Sequence, residues 1–492
     1  MSCGTVDMRC PPLPPLPPLP PLVGVPLLGL YFLVAWELLG DAMLFNGAGF
    51  ALLLLYISAF TAGALVRALS ARLPPLLGML LSGLLMRNLP GEPLASSRIL
   101  LGHDFEWWSR TLRSLALAVI MVRAGLGIDL QKLRRMGAAT LRLSCLPCLA
   151  EALTVALFAA LLLDLPPAWG GTLGFVIAAV SPAVVVPGML ELQERGYGTS
   201  KGIPTLVLAG RLLHSRALQP PLIPPSLPPP AAASVDDVLA IAGFSVCLSL
   251  VASNEERGDE GSGEASQESL ELLWLVLRAP TELACGVASG VAMGVAIAAP
   301  AIQHALSDRQ RFLAAVGAVQ AEVNALWQLV MPALFGLLGA AIDLGSINTS
   351  DLGSGAIVIL CAMAVRIMVT RVAVCGAGLS WTEAAFICVA WVPKATVQAA
   401  VGGAALDLMR ERSFGAEAEE RGSLVLMLSV VVILLTAPIG AVGISFVGPL
   451  WLTDDTKRMS VSAGTDVSLR VQNEVHADGT TSGNEDESED RV

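Results

Sequence analysis

Two adjacent carboxylates open an apolar segment that reads Asp236-Asp-Val-Leu-Ala-Ile-Ala-Gly-Phe-Ser-Val-Cys-Leu-Ser-Leu-Val251. A carboxylate inside hydrocarbon costs several kcal/mol, about 2.5–3.5 kcal/mol on insertion scales, so such residues usually bind ions, relay protons or pair with a cation. Because Asp236 and Asp237 repel each other, a proton and a metal cation can compete for the pair. The segment therefore predicts a membrane protein with an ion-binding site at Asp236 and Asp237.

The composition of the whole chain also indicates a membrane protein. Of the 492 residues 54% are hydrophobic and only 14% are charged, and the mean hydropathy is +0.69, far from an average soluble domain. About twelve apolar stretches are long enough, or nearly so, to cross a bilayer of ~30 Å. Because open sheet edges are not tolerated in lipid, we predict an all-α polytopic membrane protein. The approximate limits of the stretches are 21–40, 46–68, 75–89, 112–127, 138–163, 169–190, 203–252 (interrupted), 271–299, 325–345, 355–379, 382–405 and 423–449.

Both ends of the chain differ from the apolar domain at 21–450. Residues 1–20 are proline-rich and predict an extended polyproline segment, and residues 451–492 form an acidic tail that we predict to be disordered. The net charge of −11 comes largely from this tail. Basic residues cluster in alternate loops, and the positive-inside rule then places both termini in the cytoplasm. These loops are at 67–72, 132–135, 195–201, 309–311 and 457–458.

Two spans contain prolines that interrupt a continuous helix. One reads Val180-Ser-Pro-Ala-Val-Val-Val-Pro187 and the other Trp391-Val-Pro-Lys-Ala-Thr-Val-Gln-Ala-Ala400. Each proline removes a backbone donor, and freed backbone groups are tolerated in a membrane only where they line a cavity or are buried in protein. Simple proline kinks are the alternative, but two interrupted spans in different halves of a chain favour a transporter with inverted repeats. The residues supporting these broken helices are Ser181, Pro182, Pro187, Pro393, Lys394 and Thr396.

Other charges lie at membrane depth or near span ends. Glu151 and Arg366 are both surrounded by apolar sequence, and neither is expected to persist unpaired in lipid, so we predict a buried ion pair between them. Asp343 and Asp407 fall near span ends, where we interpret them as solvated carboxylates. The nine cysteines show no metal-ligand spacing beyond Cys145-x-x-Cys148, so we interpret them as small buried side chains.

Four segments carry a resemblance to a known family. They read Arg123-Ala-Gly-Leu-Gly-Ile-Asp129, Val180-Ser-Pro-Ala-Val-Val-Val-Pro187, Ser234-Val-Asp-Asp-Val-Leu-Ala-Ile241 and Trp391-Val-Pro-Lys-Ala-Thr-Val-Gln-Ala-Ala400. From about residue 21 to 450 the chain resembles the animal sodium/hydrogen exchanger-like domain-containing proteins, which are Nha-type cation–proton antiporters of solute carrier family 9 subfamily B.

The resemblance implies a helical homodimer with an Nha-type fold, inverted repeats and two crossing broken helices at 181–187 and 393–400. It implies exchange of Na⁺ or Li⁺ for H⁺ by an elevator-type movement of an ion-carrying core, in a plasma or organellar membrane. Cation and proton would bind at Asp237, with Asp236 beside it. The expected partners are monovalent cations, protons and membrane lipid; we expect no cofactor, no enzymatic activity and no nucleic acid. Because Arg366 does not deprotonate in proteins, we expect a one-for-one, electroneutral cycle.

Two departures from the family pattern affect this interpretation. Residues 211–233 contain a proline-rich insertion between Gly210 and Ser234, either from an error in the gene model or as a real loop before the acidic span. Near 300–312 we expect about two of the family's membrane passes to be missing. A transport-inactive membrane paralogue or partner subunit is therefore an alternative. An intramembrane aspartyl protease is a second alternative, but it needs aspartates on different helices, whereas Asp236 and Asp237 are neighbours.

Overall fold

The computed structural model of the chain describes residues 47–70, 72–88, 103–126, 138–199, 235–259, 309–345 and 348–454, with isolated residues 36, 37, 40, 203, 281, 285 and 288. Within these ranges every named element is a helix, which confirms the predicted all-α class. The β-type pairing found there is an isolated bridge between Tyr197 and Asp454. The helices are α1 (Ala48–Leu69), α2 (Pro75–Asn88), α3 (His103–Leu126), α4 (Ala138–Leu162), α5 (Pro167–Ala178), α6 (Pro182–Glu194), α7 (Val235–Asp259), α8 (Arg309–Ala340), α9 (Thr349–Ala373), α10 (Trp381–Ala390), α11 (Thr396–Val401), α12 (Ala404–Arg412) and α13 (Ala416–Trp451).

Seven helical segments of the described ranges are long and apolar enough to cross a membrane. The helix α2 has 14 residues, fewer than the ~20 that a full span requires. The seven long segments make the chain a multi-pass integral membrane protein, as the composition predicted. The seven are Ala48–Leu69, Arg142–Leu162, Pro167–Glu194, Asp236–Glu256, Ala321–Ala340, Thr349–Ala373 and Ala416–Trp451.

Several regions named in the sequence analysis cannot be compared with the structure. The proline-rich residues 1–20, the insertion at 211–233 and the tail beyond Asp454 lie outside the described residues. Residues 300–308 also lie outside them, whereas 309–312 form the first turn of α8. The domain limits, the insertion and the missing passes therefore stay predictions.

Glycines bring the backbones of α2 and α8 into close contact. A Cβ atom on Gly83 would lie 2.0 Å from the carbonyl oxygen of Gly336, and one on Gly339 would lie 2.1 Å from that of Leu80. Both distances are far below van der Waals contact, so only glycine fits at these positions. Small residues of this kind drive helix association in membranes, where there is no hydrophobic force between helices. The helices α1, α2 and α8 pack against one another, and we name these three helices the scaffold group.

The remaining helices pack around the two interrupted spans. The helix α4 packs against α5 and α9, α7 packs against α5, and α13 packs against α6, α10 and α12. We name α4 to α7 and α9 to α13 the core group. The helix α3 contacts both α8 and α11 and so lies between the two groups.

The two interrupted spans meet at their breaks. The first break separates Ala178 at the end of α5 from Pro182 at the start of α6, and the second separates Ala390 from Thr396. The backbone N–H of Ser181 donates a 2.8 Å hydrogen bond to the carbonyl oxygen of Pro393 and joins them.

The breaks are not placed as the sequence predicted. The first lies at 179–181, before the predicted 181–187, and Pro187 lies inside α6. The second break lies at 391–395, and the residues from Thr396 onward are already helical.

Candidate ion-binding site

Five charged side chains are buried around the contact between the two breaks. Each is at most 1% exposed, and they come from α4, α7, α9 and the second break. Charges in such surroundings must be compensated by partners, because desolvation costs several kcal/mol per ion. We name these residues the charge cluster: Glu151, Asp236, Asp237, Arg366 and Lys394.

One oxygen of Glu151 accepts from both cationic side chains. Its Oε2 atom accepts a hydrogen bond from Nη1 of Arg366 and a 2.7 Å hydrogen bond from Nζ of Lys394. Among the described residues its Oε1 atom has no hydrogen-bond partner. The structure therefore brings together the two residues that the sequence analysis paired and adds Lys394, which had been assigned only to a broken helix.

The acidic doublet approaches this group from α7. Oδ2 of Asp236 accepts a 3.0 Å hydrogen bond from the backbone N–H of Val180 in the first break, and it lies 3.4 Å from Nη2 of Arg366. Asp237 is the next residue of the helix and is 1% exposed. Asp236 thus contacts the first break directly.

The carbonyl end of α5 is held by the same two cations. The carbonyl oxygen of Ala178 accepts from Nη1 of Arg366 at 2.6 Å and from Nζ of Lys394 at 2.9 Å. In addition, Nε of Arg366 donates to the carbonyl oxygen of Trp391 at 2.8 Å. The last carbonyls of a helix lack intrahelical partners and carry partial negative charge, so cations are favourable there. The sequence identified Arg366 and Lys394 as charges within apolar segments, but it did not identify the backbone carbonyl oxygens that accept from them.

Buried hydroxyls accompany the charge cluster. Ser181 is the last residue of the first break and precedes α6, and Thr396 is the first residue of α11. Within the described ranges neither side-chain oxygen has a hydrogen-bond partner. Thr436 of α13 accepts from the backbone N–H of Lys394 at 3.0 Å. The described residues contain no group of three or more His, Cys, Asp or Glu side chains placed to hold a metal ion together.

A cavity of about 550 Å³ lies between the scaffold and core groups, at the face where α2 and α8 end and α9 and α13 begin. Its lining includes Arg113 and Asp407. Nη2 of Arg113 donates to both carboxylate oxygens of Asp407 at 2.7 and 2.6 Å, and these side chains are only 8% and 18% exposed. Asp407 is therefore not the solvated carboxylate expected from its position near a span end, because α3 supplies a partner.

A second ion pair joins the same two helices one turn further on. Arg110 Nη1 donates to Glu411 Oε2 at 2.8 Å, with side chains 35% and 59% exposed. We name Arg113–Asp407 the buried α3–α12 pair and Arg110–Glu411 the exposed α3–α12 pair. Together they connect α3 to the core group beside the cavity.

The family of the chain follows from comparison with known proteins. The model of the family described as sodium/hydrogen exchanger, transmembrane, matches residues 56–209 and 286–448. The chain belongs to this sodium/hydrogen exchanger family. The resemblance stated from the sequence is thereby confirmed. The interval between the two matched stretches contains the 211–233 insertion and the acidic doublet.

Curated members of the exchanger family resemble the chain over most of its length. Human Sodium/hydrogen exchanger 9B2 is 36% identical over 470 residues, which cover 90% of this chain and 82% of that protein. Human Sodium/hydrogen exchanger 9B1 is 34% identical over 450 residues, which cover 85% and 81%. Among solved structures, the sodium proton antiporter MjNhaP1 from Methanocaldococcus jannaschii has a TM-score of 0.49 and 15% identity, covering 82% of this chain and 97% of that chain.

Proposed function

We propose that this member of the exchanger family is a secondary active antiporter that exchanges Na⁺ or Li⁺ for H⁺. Its relatives are named as sodium/hydrogen exchangers, and the observation that carries the proposal here is the charge cluster at the contact of two broken helices. In the proposed site Asp237, with Asp236 beside it, binds the cation and the proton in competition. Glu151, Arg366 and Lys394 hold the surrounding charge in place.

The charges of the cluster support a one-for-one exchange. With its three carboxylates ionised and both cations protonated, the cluster carries one net negative charge. An uncompensated buried charge costs several kcal/mol, so binding of one Na⁺ or of one proton is favourable. Binding of both at once would leave a net positive charge in the same buried volume and is unfavourable. Competition between cation and proton follows.

The electroneutral cycle expected from Arg366 now has a second requirement. Lysine can lose its proton when buried, whereas arginine does not. A one-for-one cycle therefore requires Lys394 to stay protonated, which its two acceptors favour, Glu151 Oε2 at 2.7 Å and the carbonyl oxygen of Ala178 at 2.9 Å. Transport rates in proteoliposomes should then be independent of an imposed membrane potential. Voltage-dependent transport that disappears when Lys394 or Arg366 is replaced would contradict this cycle.

We further propose that the core group carries the ion by moving against the scaffold group. The cavity between the groups and the salt bridges from α3 to α12 support this, because they provide space and breakable contacts at one face. The homodimer and the choice between plasma and organellar membrane stay predictions from the family resemblance.

Uptake of ²²Na⁺ or Li⁺ into proteoliposomes against an imposed pH gradient tests the proposal. We expect Asp237→Asn to abolish uptake, because it removes the charge for which cation and proton compete. The matched control is Glu191→Gln, which makes the same chemical change at a half-exposed side chain of α6 that forms a surface salt bridge with Arg195. If Asp237→Asn took up the ion as fast as the unmodified chain, the proposed mechanism would be refuted. No uptake by any version, including the unmodified chain, would favour the transport-inactive paralogue.

A further inference from the structure

Gln398 makes an unusual set of contacts beside the charge cluster. This α11 side chain is completely buried, and its Nε2 atom lies 2.9 Å from the carbonyl oxygen of Val176, 3.3 Å from that of Ile177 and 2.9 Å from that of Ala179. Because carbonyl oxygens can only accept hydrogen bonds, the amide nitrogen and not the amide oxygen must face them. The amide group thus caps the C-terminal end of α5 from another helix.

The peptide unit between Ala179 and Val180 is held at both of its polar ends. Its carbonyl oxygen accepts from Gln398 Nε2 at 2.9 Å, and its N–H donates to Oδ2 of Asp236 at 3.0 Å. Gln398 and Asp236 therefore bind opposite ends of one rigid planar group. Any rotation of this peptide would move the donor on which the Asp236 carboxylate depends.

This peptide lies outside regular helix. It lies in the first break, where Ala179 is extended with φ −64° and ψ 138°, so it does not continue the α5 hydrogen-bond pattern. The last carbonyls of α5 need partners from elsewhere, because a buried unpaired polar group costs about 1–3 kcal/mol. Arg366 and Lys394 satisfy Ala178, and the two N–H groups of Gln398 are shared among the three carbonyls around it, with the shorter 2.9 Å contacts to Val176 and Ala179.

We propose that Gln398 is a positioning residue for cation binding, which acts through the Ala179–Val180 peptide to orient Asp236. This inference rests on the proposed function, since it assigns a role in cation binding at the same site. Groups that orient ligands in this way typically change metal affinity by about 10–100-fold when they are removed, without contacting the ion themselves. We therefore expect Gln398 to affect the affinity for the cation and not the maximal rate at which the cation-loaded protein transports.

The decisive variant is Gln398→Met, which keeps the length of the side chain and removes both N–H donors. We expect the KM for Na⁺ to rise about tenfold, and the maximal rate to change by less than about twofold, at constant pH in proteoliposomes. The Na⁺-induced rise in melting temperature of the purified protein should shrink at a fixed Na⁺ concentration. Gln328→Met makes the same change at an exposed position of α8 and should leave both measurements unaltered.

The two proposals can fail separately. If the unmodified chain and Gln328→Met transport Na⁺ while Gln398→Met has an unchanged KM and an unchanged Na⁺-induced shift, the positioning role is refuted and the antiporter function stands. If the unmodified chain does not transport, the proposed function fails first. Gln398→Asn retains a neutral amide that is one methylene shorter, and a raised KM in this variant supports the proposal if Gln398→Met does not fold. Failure of both variants to fold would assign Gln398 a purely structural role and overturn the proposal.

Discussion

Replacing Lys394 with methionine removes a positive charge from the charge cluster, whose members are all buried away from water. The Nζ atom is completely buried and donates to Glu151 Oε2 at 2.7 Å and to the carbonyl oxygen of Ala178 at 2.9 Å. Its loss leaves Glu151 with Arg366 alone and raises the net negative charge of the cluster from one to two. Because removing one partner of a buried ion pair typically costs about 3–5 kcal/mol, we expect Lys394→Met to destabilise the protein by that amount.

A charge-balanced double variant isolates the electrostatic part of this loss. Glu151→Gln combined with Lys394→Met removes one charge of each sign, and the net charge of the cluster returns to one negative charge. We expect the double variant to be more stable than the sum of the two single changes predicts, by about 1–3 kcal/mol, as for residues in one network. Equilibrium unfolding of the purified protein by SDS in mixed micelles measures the four free energies. A Lys394→Met variant within about 0.5 kcal/mol of the unmodified protein, or strictly additive changes, would refute the account of a mutually compensated cluster.

Two further predictions concern packing between helices. Gly339→Ala places a methyl group 2.1 Å from a backbone oxygen of α2, so we expect a lower melting temperature and a loss of at least about 1–3 kcal/mol. The control Gly353→Ala meets nothing within 4 Å inside α9, so it should be neutral or stabilise the protein by up to about 1 kcal/mol. In double-mutant cycles the buried α3–α12 pair (Arg113 and Asp407) should give a coupling of about 1–3 kcal/mol and the exposed α3–α12 pair less than about 1 kcal/mol. Equal couplings for the two pairs would show that burial does not decide their strength.

The membrane class and the existence of a charged site could be predicted because each rests on a local property of the sequence. A carboxylate or an arginine inside an apolar span needs a partner whatever the tertiary structure, so Glu151 and Arg366 could be paired without coordinates. The same reasoning noticed Lys394 but did not connect it with Glu151, which is 243 residues away in the sequence. The packing of the helices decides which of several possible partners a buried charge contacts. The spacing of residues along the sequence does not reveal that packing.

Other features could not be predicted for related reasons. Asp407 was interpreted as solvated because its own segment ends nearby, whereas its partner Arg113 comes from α3, 294 residues earlier. The three acceptors of Gln398 are backbone atoms, which leave no signal in side-chain identity. The first break lies before Pro182 because proline is well tolerated at the first position of a helix, so a proline there starts α6 instead of lying within an unwound segment.

The main-chain hydrogen bond from Ser181 to Pro393 links the two interruptions directly, and the contacts of Gln398 and Arg366 with the end of α5 reinforce that link. A displacement of either interrupted span is therefore expected to carry the other with it. If the core group moves as proposed, such rigid coupling would keep the mutual distances of the oxygen atoms around a bound ion while the whole assembly relocates. Discrimination between ions would then be set once, by the internal geometry of that assembly, and would be the same whichever side of the bilayer it faces.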